Sequence, residues 1–380
     1  MRTVGIICEY NPLHRGHEKQ LRLARQLGGE AVVCLMSGNY VQRGAPAILD
    51  KALRAQAAIA CGADLVLELP VTAALSSAEG FAREGVRLLG SFCSDLCFGA
   101  ETADAALLEA TAAALLSEAF PPALREQLDK GLSFPAARAK ALEEMGLDAS
   151  VLERPNNILA VEYCKAIRAL GVEMNPLVIH RQGDYHQQAA DHENPSATAV
   201  RQRMVAGEDW EALIPQAAYR LFADASIHTL AAGERAVLGR LKSMTEEEFE
   251  ALPYGSEGLW RKLMHASHSH ASLEDIATAV KSKRYTRTRI DRMILCAFLG
   301  LTQKDLSSPA PYTRVLAFND KGREVLKQAR QFGSYPNIGE KQDHPYAAIE
   351  DRADRLYGLF AETPEKPNVY RVSYTRQTAR

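Results

Sequence analysis

The chain has 380 residues, enough for two domains rather than one core. Its 47% hydrophobic and 24% charged residues are those of a soluble globular protein, and a formal net charge of −2 excludes a global pull toward nucleic acid or membrane. A polyanion must therefore be met by a local patch.

In chain order, residues 2–8 read as a short buried strand, and Leu21, Leu23, Ala24 and Leu27 give residues 18–27 a helical spacing that Gly28-Gly29 stop. Residues 31–36 and 64–69 are further buried strands, separated by a helix over 49–61. Asp50 is the candidate N-cap of that helix, and Gly62 ends it. Residues 75–90 are helical, and Leu96-Cys97-Phe98-Gly99 make a fourth strand. From 105 to 146 the pattern is alanine- and leucine-rich helix, broken at Pro121-Pro122 and Pro135. Residues 156–170 form a helix, 175–179 a strand, and 196–205 a helix capped by Ser196. After about residue 215 the strand signals stop, and 216–301 look helical. Alternating strands and helices predict an α/β fold, a Rossmann-like domain with a parallel sheet over 1–212, followed by a mostly helical C-terminal domain over 213–380. Ligands of such sheets bind beyond the carboxyl ends of the strands, so the loops at 9–17, 37–50 and 99–101 should share one rim.

Residues 1–8 are mostly apolar, but Glu9 cuts the run and no small-residue cleavage site follows, so no signal peptide is expected. No segment reaches the roughly 18 apolar residues of a membrane span. Seven scattered cysteines suit a reducing compartment, and a cytoplasmic location is expected. Cys93 and Cys97 lack a second ligand pair, and His180 with His186 is not a recognised ligand spacing, so no metal site is expected.

The most informative stretch is Asn11-Pro12-Leu13-His14-Arg15-Gly16-His17. A strand followed by His-x-x-His at a helix start puts two imidazoles at the positive end of a helix dipole, where both can donate to one polyanion. Gly16 lets the backbone approach a phosphate. Such donors stabilise the charge that grows on an α-phosphoryl group under attack. The competing reading is a pair of surface histidines. Arg43, Lys51, Arg54 and Arg181 are the candidate cations for the phosphates, with Mg²⁺ adding more. A solvated loop charge is the competing role for Arg43. Asn156 and Asn157 either read the nucleotide or cap the helix behind them.

Residues 5–17 resemble the His-x-Gly-His signature of the nucleotidyltransferase superfamily. Ser196-Ala197-Thr198-Ala199-Val200-Arg201 is similar to its second signature, which holds the β- and γ-phosphates. Four blocks carry a closer resemblance: residues 9–17, Met36-Ser37-Gly38-Asn39-Tyr40-Val41-Gln42-Arg43-Gly44, Phe98-Gly99-Ala100-Glu101 and Pro155-Asn156-Asn157-Ile158-Leu159. In that order they resemble the bacterial tRNA(Met) cytidine acetate ligases. The resemblance implies an enzyme that activates acetate with ATP as acetyl-adenylate, then acetylates N4 of the wobble cytidine of elongator tRNA(Met). It implies ATP contacts at Ile7, Cys8, Glu9, Tyr10, Asn11, Pro12 and Leu13, continuing through His14, Arg15, Gly16, His17, Glu18, Lys19 and Gln20. Further contacts fall on Gly99, on Asn156 or Asn157, and on Arg181, with Ser196, Thr198 and Arg201 from the second signature. Leu13-His14-Arg15 stands where Phe-His-Asn is frequent, and Ala100 where serine is common. His14, His17, Arg43 and Lys51 are the expected catalytic residues; no general base stands out.

RNA contact rests on Lys281, Lys283, Arg284, Arg287, Arg289 and Arg292, with Tyr285 among them as a stacking face. The competing reading is a basic helix face paired with acids such as those at 246–250. The basic residues 370–380 extend the patch or are disordered. No stable protein partner and no membrane contact are expected. Two other functions remain open on sequence: an adenylyltransferase for a small phosphorylated metabolite, and a nucleotide-sensing RNA-binding protein without catalysis.

Overall fold

Val4, Ile6, Val32, Cys34, Leu35, Leu65 and Leu67 have no exposed surface, because the strands that carry them are covered on both faces. The computed structural model describes residues 1–181, 195–331, 345–366 and 371–376. In chain order its strands are β1 (Thr3–Cys8), β2 (Ala31–Ser37), β3 (Tyr40–Val41), β4 (Ala45–Pro46), β5 (Leu65–Leu69), β6 (Asp95–Ala100), β7 (Asn175–His180), β8 (Val315–Asn319) and β9 (Ser373–Thr375). One sheet runs β7-β6-β1-β2-β5-β8-β9, and β3 and β4 form a small antiparallel hairpin. The five strands from β7 to β5 are mutually parallel, as expected, and the strand order reverses beside β1.

The helices start where the sequence offers caps. Asp50 accepts from Ala52 N–H ahead of Lys51–Ala60, and Ser196 accepts from Ala199 N–H ahead of Ala197–Ala206. The prolines expected to break the 105–146 helix instead begin new ones, Phe120–Asp129 and Phe134–Glu144. In each helix the proline lies in the first turn, where its missing N–H costs nothing.

Strand structure does not end near residue 215. β8 pairs antiparallel with β5, and β9 pairs parallel with β8, so the end of the chain completes the first sheet. The reason is that β5 would otherwise present a bare edge. A five-residue apolar run cannot be told from a helix end by periodicity, which hid β8 in the sequence. Between these points the chain is helical, from Gln216–Phe222 through Leu230–Ser243 to Arg287–Leu299. The core of these helices, including Val237, Phe249, Leu263, Ile276 and Met293, takes in Tyr40, Val71 and Leu75 from before the expected boundary at 212–213. Among the described residues no helix is long and apolar enough to cross a membrane.

Candidate active site

A cavity of about 410 Å³ opens at the carboxyl ends of β1 and β6, beside the reversal of strand order. The segment after β1 (Glu9, Tyr10, Asn11), the β3–β4 hairpin (Gln42, Arg43), Gly99 and Arg181 all face it, as the shared-rim expectation requires. Four helix starts reach it through His14, Ala78, Pro155 and Ser196, each bringing the positive end of a helix dipole. Among the described residues its charged side chains are Arg43, Arg181, Arg201 and a single carboxylate, Glu9.

His14 and His17 stack at 3.7 Å between ring centroids. His14 Nδ1 accepts from Gly16 N–H at 3.2 Å, and His17 Nδ1 accepts from His14 N–H at 3.3 Å, a reciprocal capping box for the helix Arg15–Gln26. With both Nδ1 atoms accepting, the proton of each neutral ring sits on Nε2. Burial, then Arg181 and Arg201, hold the His14 pKa down at about 3. Burial, His14 and Arg181 hold His17 well below the usual histidine range. Both rings are therefore neutral donors rather than imidazolium cations. Among the described residues His14 Nε2 is buried without a hydrogen-bond partner, an unmet donor suited to a phosphoryl oxygen.

Around this pair, Arg201 donates to Asn11 O at 2.6 Å and to Thr198 Oγ1 at 3.1 Å, and Arg181 donates to Asn156 Oδ1 at 3.2 Å. Asn156 in turn donates to Glu101 Oε1 at 2.6 Å. A Cβ on Gly99 would meet nothing nearer than Arg181 at 3.9 Å, so the open space there faces the cavity, not the protein. A smaller cavity of about 110 Å³ shares His14, His17, Gln20, Gly99 and Arg181 with the first and adds Gly16 and Lys19.

Several expected contacts lie elsewhere. Pro12 and Leu13 are buried, Arg15 donates to Ala212 O at 2.6 Å, and Glu18 is exposed; none of them lines either cavity. Asn157 is buried, accepting from Thr102 N–H at 2.9 Å, so of the two asparagines only Asn156 faces the cavity. The loop residues 182–186 lie outside the described residues. Val41, Pro46, Ala78, Phe81, Phe98, Leu159 and Tyr163 supply an apolar wall without a chemical signature in the sequence.

Lys51 is not a residue of this site. It is buried, with Nζ 2.8 Å from Glu68 Oε1 and 2.5 Å from Asp354 Oδ1. Arg314 closes the cluster, 2.7 Å from Glu68, 3.3 Å from Glu350 and 3.0 Å from Asp354. Burial lowers the Lys51 ammonium, but Asp354 and Glu68 more than offset it and the net pKa is raised. Position fooled the sequence reading here, because Lys51 follows the rim loop yet its side chain turns under β5. Arg54 is likewise fully buried and committed to backbone carbonyls of Glu9, Ser37, Gly38 and Leu49.

The basic segment divides in two. Lys281, Lys283 and Arg284 are exposed, Arg284 reaching Glu257 at 2.8 Å. Arg287 is held by Glu274 and Asp291, both at 2.8 Å, and Arg289 donates to Tyr254 O at 2.7 Å. The stacking face expected of Tyr285 is not available: the ring is 8% exposed, covered by Arg289, and its hydroxyl donates to Glu257 O. The pairing acids are Glu257, Glu274 and Asp291 rather than those at 246–250. Arg292 is buried over the Tyr254 ring and donates to Gln42 O at 3.3 Å, tying the helix Arg287–Leu299 to the β3–β4 hairpin. Gly44, with φ of 80°, lies against that helix so closely that a Cβ would sit 2.4 Å from Arg292 N. Residues 370 and 377–380 of the basic terminus lie outside the described residues.

The profile of the HIGH Nucleotidyl Transferase family matches residues 1–370. The chain is 34% identical to the tRNA(Met) cytidine acetate ligase of Acetivibrio thermocellus over 90% of its own length and 89% of the relative's. It is 38% identical to the enzyme of that name from Clostridium perfringens, over 87% and 88%. Thermotoga maritima TmcAL in its apo form superposes with a TM-score of 0.90 at 29% identity, covering 99% of this chain and 100% of that one. The same protein bound with alpha-thio ATP superposes with a TM-score of 0.88, with the same coverage.

Proposed function

Because the chain belongs to the tRNA(Met) cytidine acetate ligase family, we propose that it joins acetate to the N4 amine of the wobble cytidine of elongator tRNA(Met) in two ATP-dependent steps. Acetate attacks the α-phosphorus of ATP, pyrophosphate leaves, and the acetyl group of the resulting adenylate passes to the cytidine with release of AMP. The observation that carries this reading is the stacked His14–His17 pair, which lines a cavity fringed by Arg181, Arg201, Ser196 and Thr198. The pair holds the α-phosphoryl oxygens as the phosphorus becomes five-coordinate; being neutral, it does so by hydrogen bonds rather than by charge. Thr198 and Arg201, with the helix start behind Ser196, hold the leaving pyrophosphate. The smaller cavity beyond Gly16 and Gly99 receives the adenosine end, with Arg181, which donates to Asn156, at its entrance. Arg43, on the opposite hairpin, meets the acetate carboxylate. Mg²⁺ arrives with the triphosphate as part of the substrate.

The helices between residues 216 and 299 serve as the RNA-binding part. Within the basic segment Lys281, Lys283 and Arg284 make the phosphate contacts, and Arg289 and Arg292 hold the surface in shape. The decisive experiment supplies ATP, labelled acetate and total tRNA, then analyses the nucleosides. Label in N4-acetylcytidine is the expected result, and His17→Ala abolishes it. Pyrophosphate release that needs a phosphomonoester instead of acetate overturns the reading in favour of a small-metabolite adenylyltransferase.

A further inference from the structure

Glu9 is the only carboxylate among the described residues that line the larger cavity. Its surroundings are built for anions: three arginines, four helix starts and two histidine donors. A negative charge there opposes both the triphosphate and the acetate, so it works against the first step. The second step has the opposite need. The lone pair on the N4 amine of cytosine is delocalised into the ring, so this amine is a poor nucleophile. It becomes acidic only as its bond to the acyl carbon forms, and a base at that point prevents the adduct from collapsing back.

The geometry holds one oxygen of Glu9 and leaves the other open. Gln42 N–H donates to Glu9 Oε1 at 2.8 Å, and the Gln42 side chain reaches Ser76 O at 3.5 Å. Arg54 Nη1 donates to Glu9 O at 2.6 Å, which fixes the backbone. Glu9 Oε2 has no hydrogen-bond partner among the described residues. The other titratable groups of the lining are unfit as bases. His14 and His17 already accept backbone N–H at Nδ1 and carry their protons on Nε2. Burial pushes the Cys8 thiol and the Tyr10 and Tyr163 phenols well up, so all three stay protonated.

We propose that Glu9 accepts the proton of the cytidine N4 amine during acetyl transfer, an assignment that rests on the ligase reading above. The nitrogen lone pair forms the bond to the acetyl carbon, and the bond from that carbon to the phosphate oxygen breaks. AMP leaves with the electron pair, and one N4 proton passes to Glu9 Oε2 and on to water after release.

The test bypasses the first step. Chemically prepared acetyl-adenylate and tRNA(Met) are given to the full chain at saturating concentrations in single-turnover experiments, with adenylate affinity measured separately. Glu9→Gln keeps the acceptor for Gln42 N–H, and its transfer rate should fall about 100- to 10,000-fold with adenylate affinity retained. Glu9→Asp should recover part of the rate. A Glu9→Gln rate close to wild type overturns the proposal. So does a loss of adenylate binding that matches the loss of rate, or equal losses in the two variants. Failure of the wild type itself to transfer from acetyl-adenylate brings down the ligase reading, and this assignment with it.

Discussion

Lys51→Met tests whether this lysine belongs to the chemistry or to the frame. In the structure Lys51 and Arg314 face three carboxylates, Glu68, Glu350 and Asp354, in a space closed to solvent. Methionine replaces the aliphatic stem but leaves Arg314 alone against three acids. Removing one partner of a buried ion pair typically costs about 3–5 kcal/mol, because the remaining charge stays desolvated. That is a large share of the roughly 5–15 kcal/mol that holds a domain folded. Burial has pushed the Glu350 carboxyl up to about 7 and raised Asp354. In the variant these acids take up protons more readily, so the loss should be smaller at pH 5.5 than at pH 8. Urea unfolding at the two pH values reads this directly, alongside kcat and KM for ATP in the folded fraction. The expected result is a clear loss of stability with pyrophosphate formation retained. A stability close to wild type, or abolished turnover in a fully folded variant, would refute the structural role and return Lys51 to the catalytic list.

Gly44→Ala places a methyl group 2.4 Å from Arg292 N at a backbone φ of 80°, so both the contact and the dihedral oppose it. The expected effect is a loss of about 1–3 kcal/mol by thermal unfolding, with KM for acetate rising as the hairpin bearing Arg43 shifts. Glu350 carries a folded-state pKa of about 7 against 4.5 unfolded, so the native state binds the extra proton between those values. Stability should therefore fall as pH rises from about 4.5 to 7 through this group, and Glu350→Gln should flatten that part of the profile relative to wild type. For His14 the sign is reversed. Its folded pKa of about 3 lies below the ordinary 6.5, so its contribution is complete above 6.5 and is lost as pH falls toward 3. His14→Asn should remove that slope in equilibrium unfolding, and an unchanged slope would place the imidazole elsewhere.

The parallel strands and the first turn were legible because their signals are local. A buried β-strand with Asn-Pro in the turn after it and a helix opening with His-x-Gly-His need no distant partner to be recognised. What escaped needs the fold. Lys51 and Arg43 look alike in sequence, yet only one points into the cavity, since the helix after Asp50 rotates Lys51 toward Glu68. Phe81 and Tyr163 sit on helix faces that read as core, and only the approach of the first helix to Ile7 of β1 and of the second to Phe98 of β6 makes them a wall. The basic run read as uniform charge. Its pairing with Glu257, Glu274 and Asp291 depends on turns between helices that composition does not encode. Glu9 was visible as a letter, but its isolation among cations exists only in three dimensions.

The antiparallel pairing of Leu65 with Phe318 sets an order of events for synthesis. When the ribosome has made the first 212 residues, every group named in the cavity is already part of the chain, yet the outer edge of β5 still lacks its partner. Glu68 is then without Arg314, and Lys51 without Asp354. The cavity is thus encoded early and finished late, and pairing between such distant segments folds slowly. A fragment ending near residue 212 should therefore be prone to edge-to-edge aggregation rather than to ATP binding. A chain truncated before β8 would carry the residues of the cavity without the strand and the ion cluster that complete the sheet behind them.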